Sequence, residues 1–439
     1  MAQQNVSADE VIGIGLDCTA CTVLACDSSG TPLRPALLWM DQRSHAEADE
    51  ISATADPVLR YVSGRVSPEW MLPKALWLLH NEPATYHTAD RIVECTDWMM
   101  HRLTGEWTLS LNHVAVKWNY ARPDGGWPLA LLAKVGLDAL PSKWPDRIVP
   151  LGLGEGRLSP AAAASLGLRA GTPVAQGGID AYLGMLGLGA TRDGDVAAIV
   201  GSSTCHLAQS REGVFGSGAA GCYPDATVEG LYTLEAGQTA TGSILDWYRR
   251  HFAAKEQQEA AERGVNVYAV LDERAAAVPP GADGLVVRDD WQGNRSPYKN
   301  PQARGAITGL SLAHGTGHVF RAIYEATAMG TRHILENAAA HGLKVERVFI
   351  GGGGAKSALW LQIHADVLQK PVHLARESEA CALGSAMAAA IAAGLYQNFD
   401  EAASAMVAFE KTVEPDTANA AIYDQLFERY VQLYQSLNV

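Results

Sequence analysis

Short apolar runs and stretches with helical spacing take turns along the chain. Val11 to Leu16 reads as a strand, and a second apolar run, Val23 to Cys26, leads into an Asp27-Ser28-Ser29-Gly30 turn. Residues 36–40, ALLWM, read as a buried strand ending at Asp41-Gln42-Arg43, and residues 44–55 read as a helix. Helical spacing resumes at Leu72 and stops before Pro83; DWMMHRLTG is another helix, closed by Gly105. A short strand, Pro173 to Ala175, enters GGIDAYLGMLG. The charged turn Thr191-Arg192-Asp193-Gly194-Asp195 follows and places a domain boundary between residues 193 and 194.

The second half repeats the theme. AAIVGSSTCHLAQS is strand, tight polar turn, strand, and TATGSILDWYRRHF is a helix. Residues 265–304 carry several glycines and prolines and are expected to be mostly loop. From Thr316 onward, Phe320, Ile323, Ala326, Gly330 and Ile334 form one apolar helical face. VERVFI is a strand, GGGG a loop, and SALWLQIHADVLQ a helix with Ser357 as its N-cap. The last helix carries Ile422, Leu426, Tyr430, Leu433 and Leu437. Strands and helices alternating in both halves predict two α/β domains, 1–193 and 194–439, with a cleft between them.

Composition supports this division. A chain of 439 residues exceeds one ordinary core, and 48% hydrophobic residues supply material for two. The formal charge of −14 argues against nucleic acid or an anionic membrane as the main partner, while leaving room for a local basic pocket that takes an anionic substrate. No early stretch has the basic start and apolar run of a signal peptide. No run is long enough to span a bilayer; AMAAAIAAG reads as a buried helix. Cys18-x-x-Cys21 has no second pair at zinc-ligand spacing, so the seven cysteines are expected to be reduced thiols in a cytoplasmic protein.

Three polar glycine loops carry candidate chemistry. IGGGGAKSALW has strand, glycine loop and helix start in the order of an anion or nucleotide cradle. It is not a P-loop, because Ala355 stands where that motif needs glycine before Lys356-Ser357. GSSTCH offers hydroxyls and N–H groups suited to phosphate oxygens, or is a plain hairpin turn. In GGIDAY, Asp180 starts a helix and is either an acidic cap or a placed base; the helix N-terminus favours its ionised form.

The segments LWMDQR, CTDWMMHRLTG, VKWNY, GGIDA, GSSTCH, LEAGQTATG, GNRSPYKNPQARG and GGGGAKSALWLQIHADVLQKPV run in order through nearly the whole chain. Together they resemble the FGGY family of carbohydrate kinases, and within it the pentulose kinases of the D-ribulokinase-like branch. The resemblance implies two actin-like domains of the ribonuclease-H type, with sugar mainly against the first and ATP with Mg²⁺ mainly against the second. It implies phosphorylation of D-ribulose to D-ribulose 5-phosphate. L-ribulose, xylulose or a polyol is the alternative acceptor, and a non-catalytic sugar- or nucleotide-binding relative the alternative role. Asp180 matches the family's general base. Lys117 and Glu235 match sugar contacts, and Asp41 and Arg43 match the segment bordering the sugar pocket. Ser202, Ser203 and Thr204 match the phosphate loop. Gly352, Gly353, Gly354 and Ala355 match the loop beside adenosine, and Gly237 and Gln238 another segment lining the cleft. Metal ligands are not assigned, and a homodimer is an open option.

The family's opening hairpin has the form Gly-x-Asp-x-Gly-Thr-x-Ser, holds phosphate and helps place Mg²⁺. In GIGLDCTACTVLACDSSG, Asp17 and Thr19 could stand for its acid and hydroxyl, but Cys18-Thr19-Ala20 lacks the glycine before threonine. The stretch matches far better a later site in the relatives, just before LWMDQR. The expectation is a first domain without this hairpin, with part of its sheet edge unpaired.

Overall fold

The computed structural model describes residues 6–154 and 156–437. Its backbone is one mixed seven-stranded sheet in the second half of the chain. Across that sheet the order is Gly221–Pro224, Tyr232–Gln238, Thr204–Ser210, Asp195–Val200, Arg347–Gly352, Val372–Ala375 and Phe409–Val413. Asp195–Val200, Arg347–Gly352 and Val372–Ala375 are parallel neighbours; the other pairings are antiparallel. The parallel pair sets Gly352 beside Val200, so the GGGG and GSS loops leave the same end of adjacent strands. The helix Thr316–Ala340 covers this sheet and buries Phe320, Ile323, Ala326, Gly330 and Ile334, the face its spacing predicts.

The first half has shorter strands. Asp17–Cys18 runs parallel to Gly178–Ile179, and Val23–Cys26 runs antiparallel to Arg91–Glu94. The helices His45–Ala53, Met71–Asn81 and Cys95–Thr104 stand where their periodicity places them, the last ended by Gly105 in the left-handed region at φ 83°. One apolar core runs through this half and into the second, from Leu76, Ile92 and Val116 to Leu207, Tyr223 and Phe349. The two halves meet again where the helix Asp180–Gly187 crosses the helix Ala380–Ala392, whose AMAAAIAAG stretch buries Met387, Ala388 and Ala390 and leaves Ala386 exposed. No helix among the described residues is long and apolar enough to cross a membrane.

Four sequence expectations need correction. Val11 to Leu16 is not a continuous strand: Ile14 alone bridges Val174, and the ladder begins at Asp17. Residues 36–40 are not a strand either. Leu37 bridges Val23 and is buried in the core, while Leu38 and Met40 are 55% and 57% exposed, so most of this apolar run stays at the surface. Residues 265–304 contain the helix Val267–Ala276, capped by the Asn266 side chain, and a strand, Val286–Arg288, paired with Ala306–Thr308. In the last helix, Ala420–Leu437, the buried face is Tyr423, Leu426, Phe427, Tyr430 and Tyr434; Ile422 and Leu437 face outward. Aromatic side chains make up most of the docking face, with Leu426 among them.

Candidate active site

Asp180 stands where strand becomes helix. Ile179 pairs with Cys18, and the helix begins at Asp180 itself. One carboxylate oxygen accepts the Ala181 N–H at 2.6 Å. The helix start is thus both the cap and the place of the acid. Burial raises the Asp180 pKa, the Asp17 carboxylate adds to this, and the Ala181 bond, His113 and Lys117 pull it back only in part. The expectation that the helix N-terminus keeps the group readily ionised is therefore outweighed by desolvation. A raised pKa is what a proton acceptor needs if it is to hold the proton it takes.

A polar cluster lies within electrostatic reach of Asp180. Lys117, the last residue of the helix Leu111–Lys117, places its Nζ 3.4 Å from Glu235 Oε2 and 5.1 Å from the centre of the Trp70 ring. Glu235 comes from the strand Tyr232–Gln238. Its Oε2 also accepts the Tyr182 hydroxyl at 2.8 Å. Burial opposes ionisation of Glu235, but Lys117, the Tyr182 hydroxyl and Arg295 together hold its pKa below the ordinary value. The arrangement offers an anionic acceptor, a cationic donor and an aromatic wall, a set suited to sugar hydroxyls. Tyr182 and Trp70 were not singled out from the sequence as site residues. Tyr182 lies next to Ala181 on the Asp180 helix, but nothing in its local pattern separates it from a core tyrosine.

Asp41 and Arg43 form their own group. Both Asp41 oxygens accept from Arg43 Nε at 2.9 Å, and the guanidinium lies 4.9 Å from the centre of the Trp77 ring. Among the described residues, neither hydrogen-bonds to Asp180, Lys117 or Glu235. Lys74, fully buried, anchors their turn by donating to the Leu38 and Cys21 carbonyls at 2.7 and 2.6 Å. Asp97 is a structural cap: its oxygens accept from the Glu94 and Ser110 N–H groups, and burial pushes its pKa up to about 7.

The nucleotide-side loops converge. Ser202 and Ser203 are exposed at the hairpin tip, while Thr204 turns inward and donates to Thr241 Oγ1 at 2.9 Å. The Ser202 carbonyl accepts from Thr241 and Ser243, tying the hairpin to the helix Gly242–Phe252. Gly352 has φ 96°, and a Cβ there would stand 2.3 Å from the Val200 carbonyl oxygen. The close approach of the two loops requires glycine at this position. Gly353 and Gly354 border a cavity of about 470 Å³ shared with Gly201, Ser202, Tyr268 and Asp272. The Ser357 hydroxyl caps the next helix by accepting the Trp360 N–H at 3.1 Å. Ala355 packs partly buried against the core beneath. The cavity's volume, glycine rim and helix start fit a nucleotide. Tyr268 and Asp272 lie in a segment whose glycines and prolines predict loop, although Val267, Val270, Leu271 and Ala275 carry a helical signal.

The remaining pair serves the interior. Gln238 donates to Asp289 Oδ2 and the Thr327 carbonyl and accepts from Thr331, so its side chain is already occupied. Gly237 lets the neighbouring strand approach closely: a Cβ there would stand 2.9 Å from the Thr204 carbonyl oxygen. Asn294 accepts the Tyr298 N–H and donates to Asp290, ordering its loop. Among the described residues no group of three or more His, Cys, Asp or Glu side chains could hold a metal. Mg²⁺ bound with a nucleotide needs only one or two carboxylates beside phosphate oxygens and water. The Asp17 and Asp180 carboxylates lie near enough for the Asp17 charge to raise the Asp180 pKa.

Comparison with known proteins accounts for both halves. Residues 1–187 match the N-terminal domain, and residues 196–393 the C-terminal domain, of the FGGY family of carbohydrate kinases. The chain belongs to this family. The two matches fall on either side of the Thr191–Asp195 turn. This FGGY kinase is 35% identical to the ribulokinase of Geobacillus thermodenitrificans over 460 residues, covering 99% of this chain and 81% of that protein. It is also 35% identical to the ribulokinase of Mycolicibacterium smegmatis, covering 99% and 80%. Among solved structures, the xylulose kinase from Rhodospirillum rubrum superposes with a TM-score of 0.84 at 31% identity, covering 95% of this chain and 83% of that one. The reaction class is ATP-dependent phosphorylation of a carbohydrate, and kinases of this family generally use MgATP.

Proposed function

We propose that this kinase phosphorylates a pentulose, D-ribulose in first place, with Asp180 as general base. The observation that carries the reading is the Lys117–Glu235–Tyr182 cluster within electrostatic reach of a carboxyl whose pKa burial has raised. Asp180 takes the proton of a sugar hydroxyl as that oxygen attacks the γ-phosphorus of ATP. The new P–O bond forms as the bond to the β-phosphate oxygen breaks, and ADP leaves. Such base placement contributes about 10²- to 10⁴-fold in rate. Ser202, Ser203, Gly353 and Gly354 cradle the nucleotide, with Thr204, Gly352 and Ala355 supporting that wall and Gly237 and Gln238 ordering the interior instead. Mg²⁺ bound with ATP supplies charge neutralisation on the phosphates. Asp41 and Arg43 form the outer rim of the sugar side. The names of the relatives support ribulose first and xylulose second.

Gly13, Gly15 and Asp17 line a groove of about 660 Å³ with Ser385 and Ala389 from the crossing helix.

ADP release measured with MgATP and D-ribulose, L-ribulose, D-xylulose and ribitol tests the substrate. The highest kcat/KM belongs to D-ribulose; a higher value for ribitol, or none for any pentulose, contradicts the proposal.

A further inference from the structure

One buried amide joins three parts of the site. Asn112, on the helix that ends at Lys117, is fully buried. Its Oδ1 accepts the Ile179 N–H at 2.8 Å, and its Nδ2 donates to the Ala226 carbonyl at 2.6 Å. Ile179 immediately precedes Asp180. Ala226 lies in the connection between the strands Gly221–Pro224 and Tyr232–Gln238, and the second of these carries Glu235. The approach to Asn112 is close enough that a Cβ on Gly178 would stand 3.0 Å from its Oδ1.

Given Asp180 as the base, we propose that Asn112 is a positioning residue that holds the Asp180 strand of the first domain and the Glu235 hairpin of the second in one frame. The two contacts demand opposite chemistry. Ile179 presents a donor and Ala226 an acceptor, and a carboxamide supplies one of each. Aspartate at this position keeps the Ile179 contact but turns an acceptor toward the Ala226 carbonyl. Alanine leaves both backbone groups buried without partners. A general base works only within about 2.6–3.2 Å of the proton it takes, and a displacement of about 1 Å costs on the order of 10²-fold in rate. The Lys117, Tyr182 and Glu235 contacts do not run through the Asn112 amide. Sugar binding should therefore outlast the loss of base placement.

The test compares Asn112→Ala and Asn112→Asp with the parent chain and Asp180→Asn. It measures kcat with MgATP and D-ribulose, sugar Kd by calorimetry, and hydrogen exchange at the Ile179 amide. Asn112→Ala lowers kcat roughly 10²-fold with sugar Kd within about threefold of the parent, and Ile179 exchanges faster. Asn112→Asp lowers kcat about tenfold and leaves Ile179 protected. If the alanine variant does not fold, the aspartate variant alone decides through its kcat at unchanged Ile179 protection. Parent-like kcat in a folded variant overturns the proposal. So does a kcat loss matched by an equal loss of sugar affinity, or unchanged Ile179 exchange in Asn112→Ala. Parent-like kcat in Asp180→Asn would instead overturn the base assignment, while Ile179 exchange still scores the tie to Asn112.

Discussion

Gly384 packs so closely on Leu183 that a Cβ there would stand 1.9 Å from the Leu183 carbonyl oxygen. Gly187 stands in the same relation to the Ala380 carbonyl, at 2.0 Å. Backbone thus meets backbone where the helix that begins at Asp180 crosses Ala380–Ala392. Gly384→Ala must push the two helices apart. The expected cost is about 1–3 kcal/mol of stability, with a fall in kcat because the same helix carries the base. Urea unfolding midpoints and kcat check this. An unchanged midpoint would mean that the crossing relaxes without strain.

The buried pair His113–Glu94 gives a stability prediction with a pH signature. Nδ1 lies 2.6 Å from Glu94 Oε2, and neither side chain is exposed. Burial disfavours the His113 cation, but Glu94 more than compensates and raises its pKa from 6.5 to about 9. Burial likewise opposes the Glu94 charge, yet His113, with the Cys21 and Trp118 donors, holds it below its ordinary 4.5. The His113 contribution is therefore fully present below pH 6.5 and is lost as pH rises through about 9. The Glu94 contribution is present above pH 4.5 and is lost as pH falls through its lowered value. His113→Gln leaves a buried carboxylate without its cation and costs about 3–5 kcal/mol near neutrality. The gap in unfolding midpoint between parent and variant narrows above pH 9. A gap that widens there would show that His113 is neutral in the folded protein.

Most of the site was readable because its parts are local. Asp180 follows two glycines at a strand end, the GSS and GGGG loops each follow an apolar strand, and Ser357 caps a helix three residues before Trp360. What the sequence left open depends on long-range packing. Nothing near Gln238 tells that Asp289, Thr327 and Thr331 will absorb its amide, and nothing near Leu38 tells that an apolar run will stay at the surface. Asn112 bonds Ile179 and Ala226, partners far along the chain, so its role appears only in three dimensions.

The nucleotide cavity predicts a separable defect. Gly353 lines it, and a Cβ there would meet nothing within 4 Å. Gly353→Val puts bulk into the cavity without a clash in the fold. The KM for ATP rises about tenfold, while sugar Kd and the unfolding midpoint stay with the parent. Initial rates against ATP concentration measure this. Unchanged ATP dependence would move the nucleotide elsewhere.

The most direct measurement is kcat for MgATP-dependent phosphorylation of D-ribulose by the parent chain and by Asp180→Asn, with sugar Kd measured on the same samples. The parent turns over measurably. Removing the base lowers kcat by about 10²- to 10⁴-fold while the sugar still binds through Lys117, Tyr182 and Glu235. Near-parent kcat in Asp180→Asn, or no turnover of any pentulose by the parent, would contradict the account.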